Sequence, residues 1–253
     1  IPLLIFYLFM RRLNNCLENK RYTNIPIWFM RQAGRYLKEF RDIRKNNPDF
    51  INLCLNQKLV NEISLQPIKR FDLDAVILFS DILIIPYGLG QKVTFKKNMG
   101  PILGDLNLDL ILNVKENDFI NRINPVYKSL NLLKNNMDYK NKSLIGFAGA
   151  PWTLLLYMIH KQSPKKDFNK NKILNDKNLL NKLIVKLEDI ICLHIDKQIE
   201  AGANVIQLFD SWAGLLSRDD LNKYCYSPTL KIVNYIKKKG IPIICFPRGI
   251  KKE

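Results

Sequence analysis

Two arginines in one short segment are the residues of this sequence best suited to chemistry with anions. Arg31 and Arg35 are four positions apart, and Gly34 between them favours a turn that brings the two side chains together. A guanidinium group stays charged and presents a planar set of donors, so a pair of them in a fixed turn can hold carboxylates. The alternative is an exposed pair at a helix start, since most arginines are exposed.

Asp81 is the carboxylate best placed for chemistry. It follows a short apolar segment, residues 75–79, where a carboxylate can stabilise positive charge that develops on a substrate away from water. The same position before Ile82 and Leu83 also suits a residue that caps the start of a helix. The residue types alone permit both roles.

Alternating strand-like and helix-like segments must position these residues. Short apolar runs alternate with longer helical patterns, and Gly202 and Gly240 fall where two of those helices should end. Such repetition predicts a parallel α/β protein. The predicted strands span residues 25–30, 75–79, 144–148, 205–209 and 241–246, and the predicted helices include residues 56–69, 177–202 and 217–239.

Polar residues after the predicted strands favour a (β/α)8 barrel over a doubly wound sheet. No GxGxxG sequence follows a strand, so a dinucleotide-binding sheet lacks its main signal. Barrel enzymes carry their chemistry at the carboxyl ends of the strands. The candidates occupy such places, with Arg31 and Arg35 after the first strand, Ser80 and Asp81 after the second, Pro151 and Trp152 after the third, and Asp210 and Ser211 after the fourth.

Four motifs resemble, in order, those of one enzyme family. They are Trp28-Phe29-Met30-Arg31-Gln32-Ala33-Gly34-Arg35-Tyr36, Phe79-Ser80-Asp81-Ile82-Leu83, Gly146-Phe147-Ala148-Gly149-Ala150-Pro151-Trp152-Thr153 and Gln207-Leu208-Phe209-Asp210-Ser211-Trp212-Ala213-Gly214. The family is uroporphyrinogen decarboxylase, which converts the four acetate side chains of a haem-pathway tetrapyrrole to methyl groups. The resemblance runs from about Met10 to the end of the chain, and it implies a (β/α)8 barrel.

The resemblance also implies a carboxy-lyase that acts on uroporphyrinogen III without a cofactor. Asp81 would accept hydrogen bonds from pyrrole N–H groups and stabilise a cationic ring. Arg31 and Arg35 would hold substrate carboxylates, with delivery of a proton, directly or through water, as a second role open to either. The other implied substrate contacts are Gln32, Ala33, Gly34, Tyr157, Ser211 and Phe147.

Packing and capping roles stay open for several of these residues. Tyr157 lies within the apolar run 154–159, as a tyrosine of the core would. Ser211 suits a cap at a strand end, and Phe147 and Phe209 suit a plain core as well as a surface beneath a tetrapyrrole.

Composition bears on cofactors, partners and location. The formal charge of +17 suits an anionic substrate, whereas the basic residues are spread along helical faces, which argues against nucleic-acid binding. Five cysteines without a CxxC pair indicate reduced thiols in the cytoplasm. Cys192 and His194 do not share a helix face, so no metal site is predicted. No cofactor is expected, because the pyrrole is itself the electron sink. A homodimer is expected from the resemblance alone.

The two ends of the chain carry separate expectations. Residues 1–9 are apolar, but a membrane span takes about 20 residues, and no basic residues precede them as in a signal peptide. They are expected to be a non-native extension ahead of a start at Met10, with one barrel domain over residues 10–253. Five predicted strands fall short of eight. The C-terminal βα units are therefore expected to be missing, and the resemblance implies that they would carry a histidine of the substrate cleft. Open sheet edges are expected to leave the fragment weakly folded.

Two other functions compete with decarboxylation. A truncated or decayed copy would keep the motifs and have no activity. A corrinoid-linked methyltransferase would share the barrel but needs a His-x-Cys-Gly zinc motif after its fifth strand, where this chain has Cys245-Phe246-Pro247-Arg248. The decarboxylase is therefore the favoured prediction.

Overall fold

The computed structural model describes residues 11–18, 24–96, 99–135, 141–164 and 175–250, so residues 1–9 and Met10 lie outside it. The strands are β1 (Ala75–Ile77), β2 (Val93–Lys96), β3 (Gly100–Leu103), β4 (Ser143–Gly149), β5 (Val205–Asp210) and β6 (Ile243–Pro247). The helices are α1 (Arg12–Leu17), α2 (Lys38–Asn46), α3 (Phe50–Leu55), α4 (Gln57–Arg70), α5 (Ile84–Gly88), α6 (Leu108–Asn113), α7 (Glu116–Lys134), α8 (Pro151–His160), α9 (Lys177–Glu200), α10 (Arg218–Leu221) and α11 (Ser227–Lys237). Ala213–Leu215 forms a 3-10 turn and Asn222–Tyr226 a π-helical turn.

Four parallel strands form the main sheet in the order β1-β4-β5-β6. The register pairs Ile77 with Ile145 and Gly149 with Phe209. The four strands lie side by side in the order in which they occur in the chain, and helices connect them, as around a (β/α)8 barrel. The carboxyl ends of β1, β4, β5 and β6 therefore lie along one edge of the sheet.

The predicted strand over residues 25–30 is wrong. This segment is extended but outside the sheet, with Ile25 81% exposed and Ile27 and Phe29 also exposed. Only Ile27 pairs, with Asp74 just before β1: the two exchange backbone and carboxylate hydrogen bonds of 2.8 Å. The apolar run resembled a buried strand, yet a single anchored residue does not build a ladder. The sheet contains four of the five predicted strands.

A small antiparallel pair, β2 with β3, was not predicted. Val93 and Phe95 alternate with Thr94 and Lys96, and this period of two was the available signal. Beyond α8 the chain adds to the pair, since Leu103 N–H donates to the Lys161 carbonyl at 2.7 Å. The pair therefore tethers the segment that follows α8.

Local capping chemistry explains the helix starts that the sequence predicted. The side chains of Asn56 and Asp176 accept hydrogen bonds from backbone N–H groups three residues on, at the starts of α4 and α9. Gly202 ends the predicted helix 177–202 with φ of +119°, a conformation that favours glycine. The predicted helix 217–239 is instead divided into α10, the π-helical turn and α11.

The core is centred on β4 and the helices around it. Every residue of β4 is buried, and Trp152, directly after it on α8, is fully buried. The residues of β6 are half-buried or exposed. The expectation of weak folding remains a prediction, which follows from the partly covered face of β6.

Candidate active site

A buried glutamine anchors the segment that carries the two arginines. Gln32 is 2% exposed; its Nε2 donates to the Ala75 carbonyl (2.9 Å), and its Oε1 accepts from Phe29 N–H (3.3 Å). Its own carbonyl accepts a hydrogen bond from the Tyr36 hydroxyl. Both the oxygen and the nitrogen of the Gln32 side-chain amide thus form hydrogen bonds with backbone groups, which fixes the segment beside β1.

Arg31 and Arg35 are exposed on either side of this anchor. A turn over residues 34–37 contains Arg35, with Leu37 N–H donating to the Gly34 carbonyl at 3.0 Å. Arg41 holds the end of the turn through its Nη1, which donates to the Arg35 carbonyl at 2.8 Å. The predicted turn is present. Gly34, however, does not adopt a positive φ, and a Cβ there would only touch the Tyr36 ring, so the turn does not require glycine.

Asp81 lies in the loop that follows β1 and combines the two roles that its sequence position permitted. Its Oδ1 accepts a hydrogen bond from Leu83 N–H at 2.8 Å, which caps the turn before α5. This is the only hydrogen bond that the carboxylate makes within the described parts of the chain. The second oxygen therefore remains available.

The Asp81 loop packs against the end of the neighbouring strand. A Cβ on Gly149 would lie 3.1 Å from Cβ of Ile82 and 2.7 Å from Cδ2 of Leu154. The packing of Ile82 and Leu154 against the end of β4 therefore depends on glycine at the last residue of the strand. It brings Asp81 to the same sheet edge as the residues that follow β4.

Asp81 holds its proton more tightly than an ordinary aspartate does. Burial raises its pKa from 3.8 to about 6, while the hydrogen bond from Leu83 and the charge of Arg31 oppose the rise. Arg31 therefore lies close enough to act on this carboxylate, although fifty residues separate them. The buried thiol of Cys54 is also near Asp81, and its pKa is raised by burial and then by the charge of Asp81.

Arg44 is a cation at this site that the sequence-based prediction missed. Its guanidinium carbon lies 5.1 Å from the centroid of the Phe50 ring, and its side chain is half-buried. Burial lowers its pKa, and the charge of Arg35 lowers it further, which places the two arginines near each other. The only indication in the sequence was its position after Arg41 on α2. Most arginines are exposed, so this position did not mark Arg44 as part of a site.

Aromatic side chains form the other half of the site, at the ends of β4 and β5. Phe147 and Phe209 are packed edge to face, with ring centroids 5.6 Å apart. The buried Tyr157 contacts Trp212 in a similar way at 6.2 Å, and its hydroxyl lies 3.4 Å from Ser163 Oγ. Ser211 is half-buried between Phe209 and Trp212 in the chain. Phe147 thus contacts β5 through Phe209, and Tyr157 contacts the segment after β5 that carries Ser211.

His194 has a structural environment. It is buried, its Nδ1 lies 3.0 Å from the Tyr127 hydroxyl, and burial lowers its pKa to about 3. Within the described ranges, no three His, Cys, Asp or Glu side chains form a group that could hold a metal ion. Over the same ranges, no helix is both long and apolar enough to cross a membrane.

The family described as uroporphyrinogen decarboxylase (URO-D) matches residues 9–253. This chain belongs to the uroporphyrinogen decarboxylase family. A relative in Campylobacter jejuni subsp. jejuni serotype O:2, named uroporphyrinogen decarboxylase, is 42% identical over 230 residues, which cover 89% of this chain and 67% of the relative. A relative of the same name in Rickettsia canadensis is 39% identical over 244 residues, covering 95% and 71% of the two chains.

A solved structure shows the same fold at low sequence identity. The methyltransferase from Methanosarcina mazei matches with a TM-score of 0.71 and 15% identity, over 94% of this chain and 68% of its own. At that identity the likeness concerns the fold alone. Together with membership of the uroporphyrinogen decarboxylase family, it confirms the predicted (β/α)8 fold class. This chain is shorter than its relatives.

Proposed function

We propose that this chain catalyses the cofactor-independent decarboxylation of the four acetate side chains of uroporphyrinogen III, giving coproporphyrinogen III and carbon dioxide. Membership of the family and the printed names of the relatives support this proposal. The structural observation that carries it is the Asp81 carboxylate, with its raised pKa, beside Arg31 at the carboxyl end of β1. A carboxylate next to a fixed cation suits a substrate that is anionic at its edges and becomes cationic at its ring.

The chemical step consumes one proton for each acetate. A proton adds to a pyrrole carbon next to the one that carries the acetate, which makes the ring cationic. The bond to the carboxylate then breaks, its electron pair forms a double bond between the ring and the side-chain carbon, and carbon dioxide leaves. A second proton adds to that side-chain carbon to complete the methyl group, and the first proton leaves the ring.

Asp81 is proposed to stabilise the cationic ring. With a pKa of about 6, its carboxylate is ionised at neutral pH and has an oxygen free to accept a pyrrole N–H. A charge fixed before the reaction needs little reorganisation as the ring becomes cationic. The proton donor stays open, since arginine is a poor acid at neutral pH.

The three arginines are proposed to hold the substrate carboxylates. Arg31 and Arg35 are exposed at a fixed turn, and Arg44 lies next to Arg35. Planar donor groups of this kind bind carboxylates with two parallel hydrogen bonds. On the other side, Phe147 and Tyr157 are proposed to contact the tetrapyrrole, with Ser211 as a donor to a carboxylate.

Anaerobic turnover of uroporphyrinogen III by the purified chain tests the proposal, with the products oxidised to porphyrins and separated by chromatography. The parent is expected to give coproporphyrin, and Asp81→Asn to lower kcat by about 10²–10³-fold, as for loss of one preorganised stabilising group. The control is Asp72→Asn, a 95% exposed carboxylate before β1, which should leave kcat unchanged. No product from a folded parent, or an Asp81→Asn variant within a few-fold of the parent, would contradict the proposal.

A homodimer is proposed on the resemblance of the sequence alone. Sedimentation velocity of the purified chain measures the assembly directly, and a single species with the mass of one chain would contradict it.

A further inference from the structure

The two peptide groups on either side of the Trp212 Cα are held by the first turn of α8. Trp212 N–H donates to Thr153 Oγ1 at 3.1 Å, and the Trp212 carbonyl accepts from Trp152 Nε1 at 3.0 Å. The indole ring of Trp212 then packs against Tyr157, one turn further along α8. The segment after β5 is thus fixed to the helix that carries the candidate substrate tyrosine.

Asp210 determines which way the Thr153 hydroxyl points. It ends β5 and is 3% exposed, and its Oδ1 accepts the Thr153 hydroxyl hydrogen with an O···O distance of 2.6 Å. A hydroxyl has one hydrogen, so the lone pairs of Thr153 Oγ1 are left to accept from Trp212. Thr153 is fully buried, which makes replacement of either bond by water costly.

The π-helical turn covers this network at two successive residues. Tyr224 packs against Trp152 with ring centroids 6.1 Å apart. Cys225 is buried beside Asp210, since the carboxylate adds to the effect of burial in raising the thiol pKa. A π turn changes the helical register, and such turns are frequent at functional sites. Here it contacts the network through Trp152 and Asp210.

We propose that Asp210 and Thr153 are positioning residues for the decarboxylation: acting through the Trp212 peptide, they set the place where Ser211 and Tyr157 meet a substrate carboxylate. Neither residue touches the substrate. The inference rests on the proposed function, whereas the hydrogen bonds that support it can be measured without turnover.

Steady-state kinetics of Thr153→Val, which removes both hydrogen bonds at nearly constant shape, provide the first test. KM for uroporphyrinogen III is expected to rise about tenfold with kcat within about threefold, because uniform binding is lost. Thr153→Ser should restore KM to within about twofold of the parent by the same reasoning. The control, Ser129→Ala, removes an equally buried hydroxyl that bonds the Pro125 carbonyl on α7, and should leave KM unchanged.

A merely structural role gives a different pattern. Loss of folded protein lowers the active fraction, so kcat would fall with KM unchanged, both in Thr153→Val and in the control. That result would overturn the inference. A double-mutant cycle with Ser211→Ala adds a second condition, since the two changes should not be additive when Thr153 acts through Ser211. Additive effects would count against it.

Amide hydrogen exchange separates this inference from the proposed function. In Thr153→Val the Trp212 amide loses its acceptor and should exchange at least about tenfold faster, as locally opened amides do. Unchanged exchange would overturn the inference even if the parent is active. Faster exchange in a chain whose parent shows no turnover would support the held peptide and contradict the decarboxylase function.

Discussion

The two halves of the candidate site are constructed in opposite ways. In residues 29–36 the arginine side chains are exposed, and the buried Gln32 ties the segment to β1. At the ends of β4 and β5, by contrast, Phe147, Tyr157 and Asp210 are themselves buried. An unpaired guanidinium is costly to bury, whereas an aromatic ring gains from burial. The arginine side chains are therefore exposed, and a separate buried residue, Gln32, holds their segment in place. The aromatic side chains are themselves part of the core.

This contrast implies that the two halves fail differently. A change in the arginine segment should weaken binding of the anionic substrate with little loss of stability. A change at the aromatic edge should affect packing and binding together. Gln32 is the exception in its own half, because its amide is both buried and bonded.

The largest effect in the arginine segment is expected for Arg31→Met. The change removes a charge-assisted hydrogen bond to a carboxylate, which contributes about 1.5–3 kcal/mol. KM should therefore rise by up to about 100-fold. Arg31→Lys keeps the charge without the planar donors, so its effect should be smaller. Steady-state kinetics give KM. The control is Lys38→Met, which also removes one positive charge, from an exposed position on α2.

The same variants test whether the charge of Arg31 lowers the pKa of Asp81. Because the charge of Arg31 lowers the Asp81 pKa, Arg31→Met should shift the acid limb of the pH–rate profile to higher pH. Lys38→Met should leave that limb in place. An unshifted limb in Arg31→Met would show that the two side chains do not interact.

A smaller effect on binding is expected for Gln32→Ala, with a measurable loss of stability. The change leaves Phe29 N–H and the Ala75 carbonyl without partners, which costs about 1–3 kcal/mol for buried groups. Gln32→Glu keeps an acceptor for Phe29 N–H but places a buried carboxylate against the Ala75 carbonyl, so it should be at least as destabilising as the alanine variant. Denaturant unfolding gives the free energy. Equal stability of Gln32→Ala and the parent would contradict the anchoring role.

The smallest effect near neutral pH is expected from the titration of Asp81 in the parent chain. Catalysis is proposed to need the ionised carboxylate, whose pKa in the folded state is about 6. Because this pKa is that of the free enzyme, we expect kcat/KM to be about half its plateau value at pH 6 and to fall about tenfold per unit below that. A rate that is independent of pH from 8 to 5 would contradict the assignment.

Stability should change with pH in the opposite sense. The pKa of Asp81 is about 6 in the folded state and has its ordinary value, 3.8, in the unfolded chain. This group therefore lowers the free energy of unfolding as pH rises from about 4 through about 6. Asp81→Asn keeps an acceptor for Leu83 N–H and loses the charge, so its melting temperature at pH 8 should exceed that of the parent by a few degrees. The gap should disappear near pH 4, and a constant gap would contradict the raised pKa.

Helix starts and several strands could be predicted because their causes are local. Asn56 and Asp176 cap helices with their own side chains, and Gly202 ends one by its conformation. The error over residues 25–30 arose because apolar composition does not reveal whether a neighbouring strand exists. The π-helical turn at Asn222–Tyr226 was missed because it depends on packing against Trp152 and Asp210, which lie elsewhere in the chain.

The sequence by itself determined the family, the alternation of strands and helices, and the position of Asp81 after a buried strand, because motifs, periodicity and capping are properties of neighbouring residues. Only the tertiary structure decided that Arg31 lies beside Asp81, that Arg44 joins Arg35, and that Gln32 anchors the segment. Two of these relations, Arg31 with Asp81 and Gln32 with Ala75, join residues that are distant in the chain. They depend on the register of the sheet and on which side chains the core excludes from water.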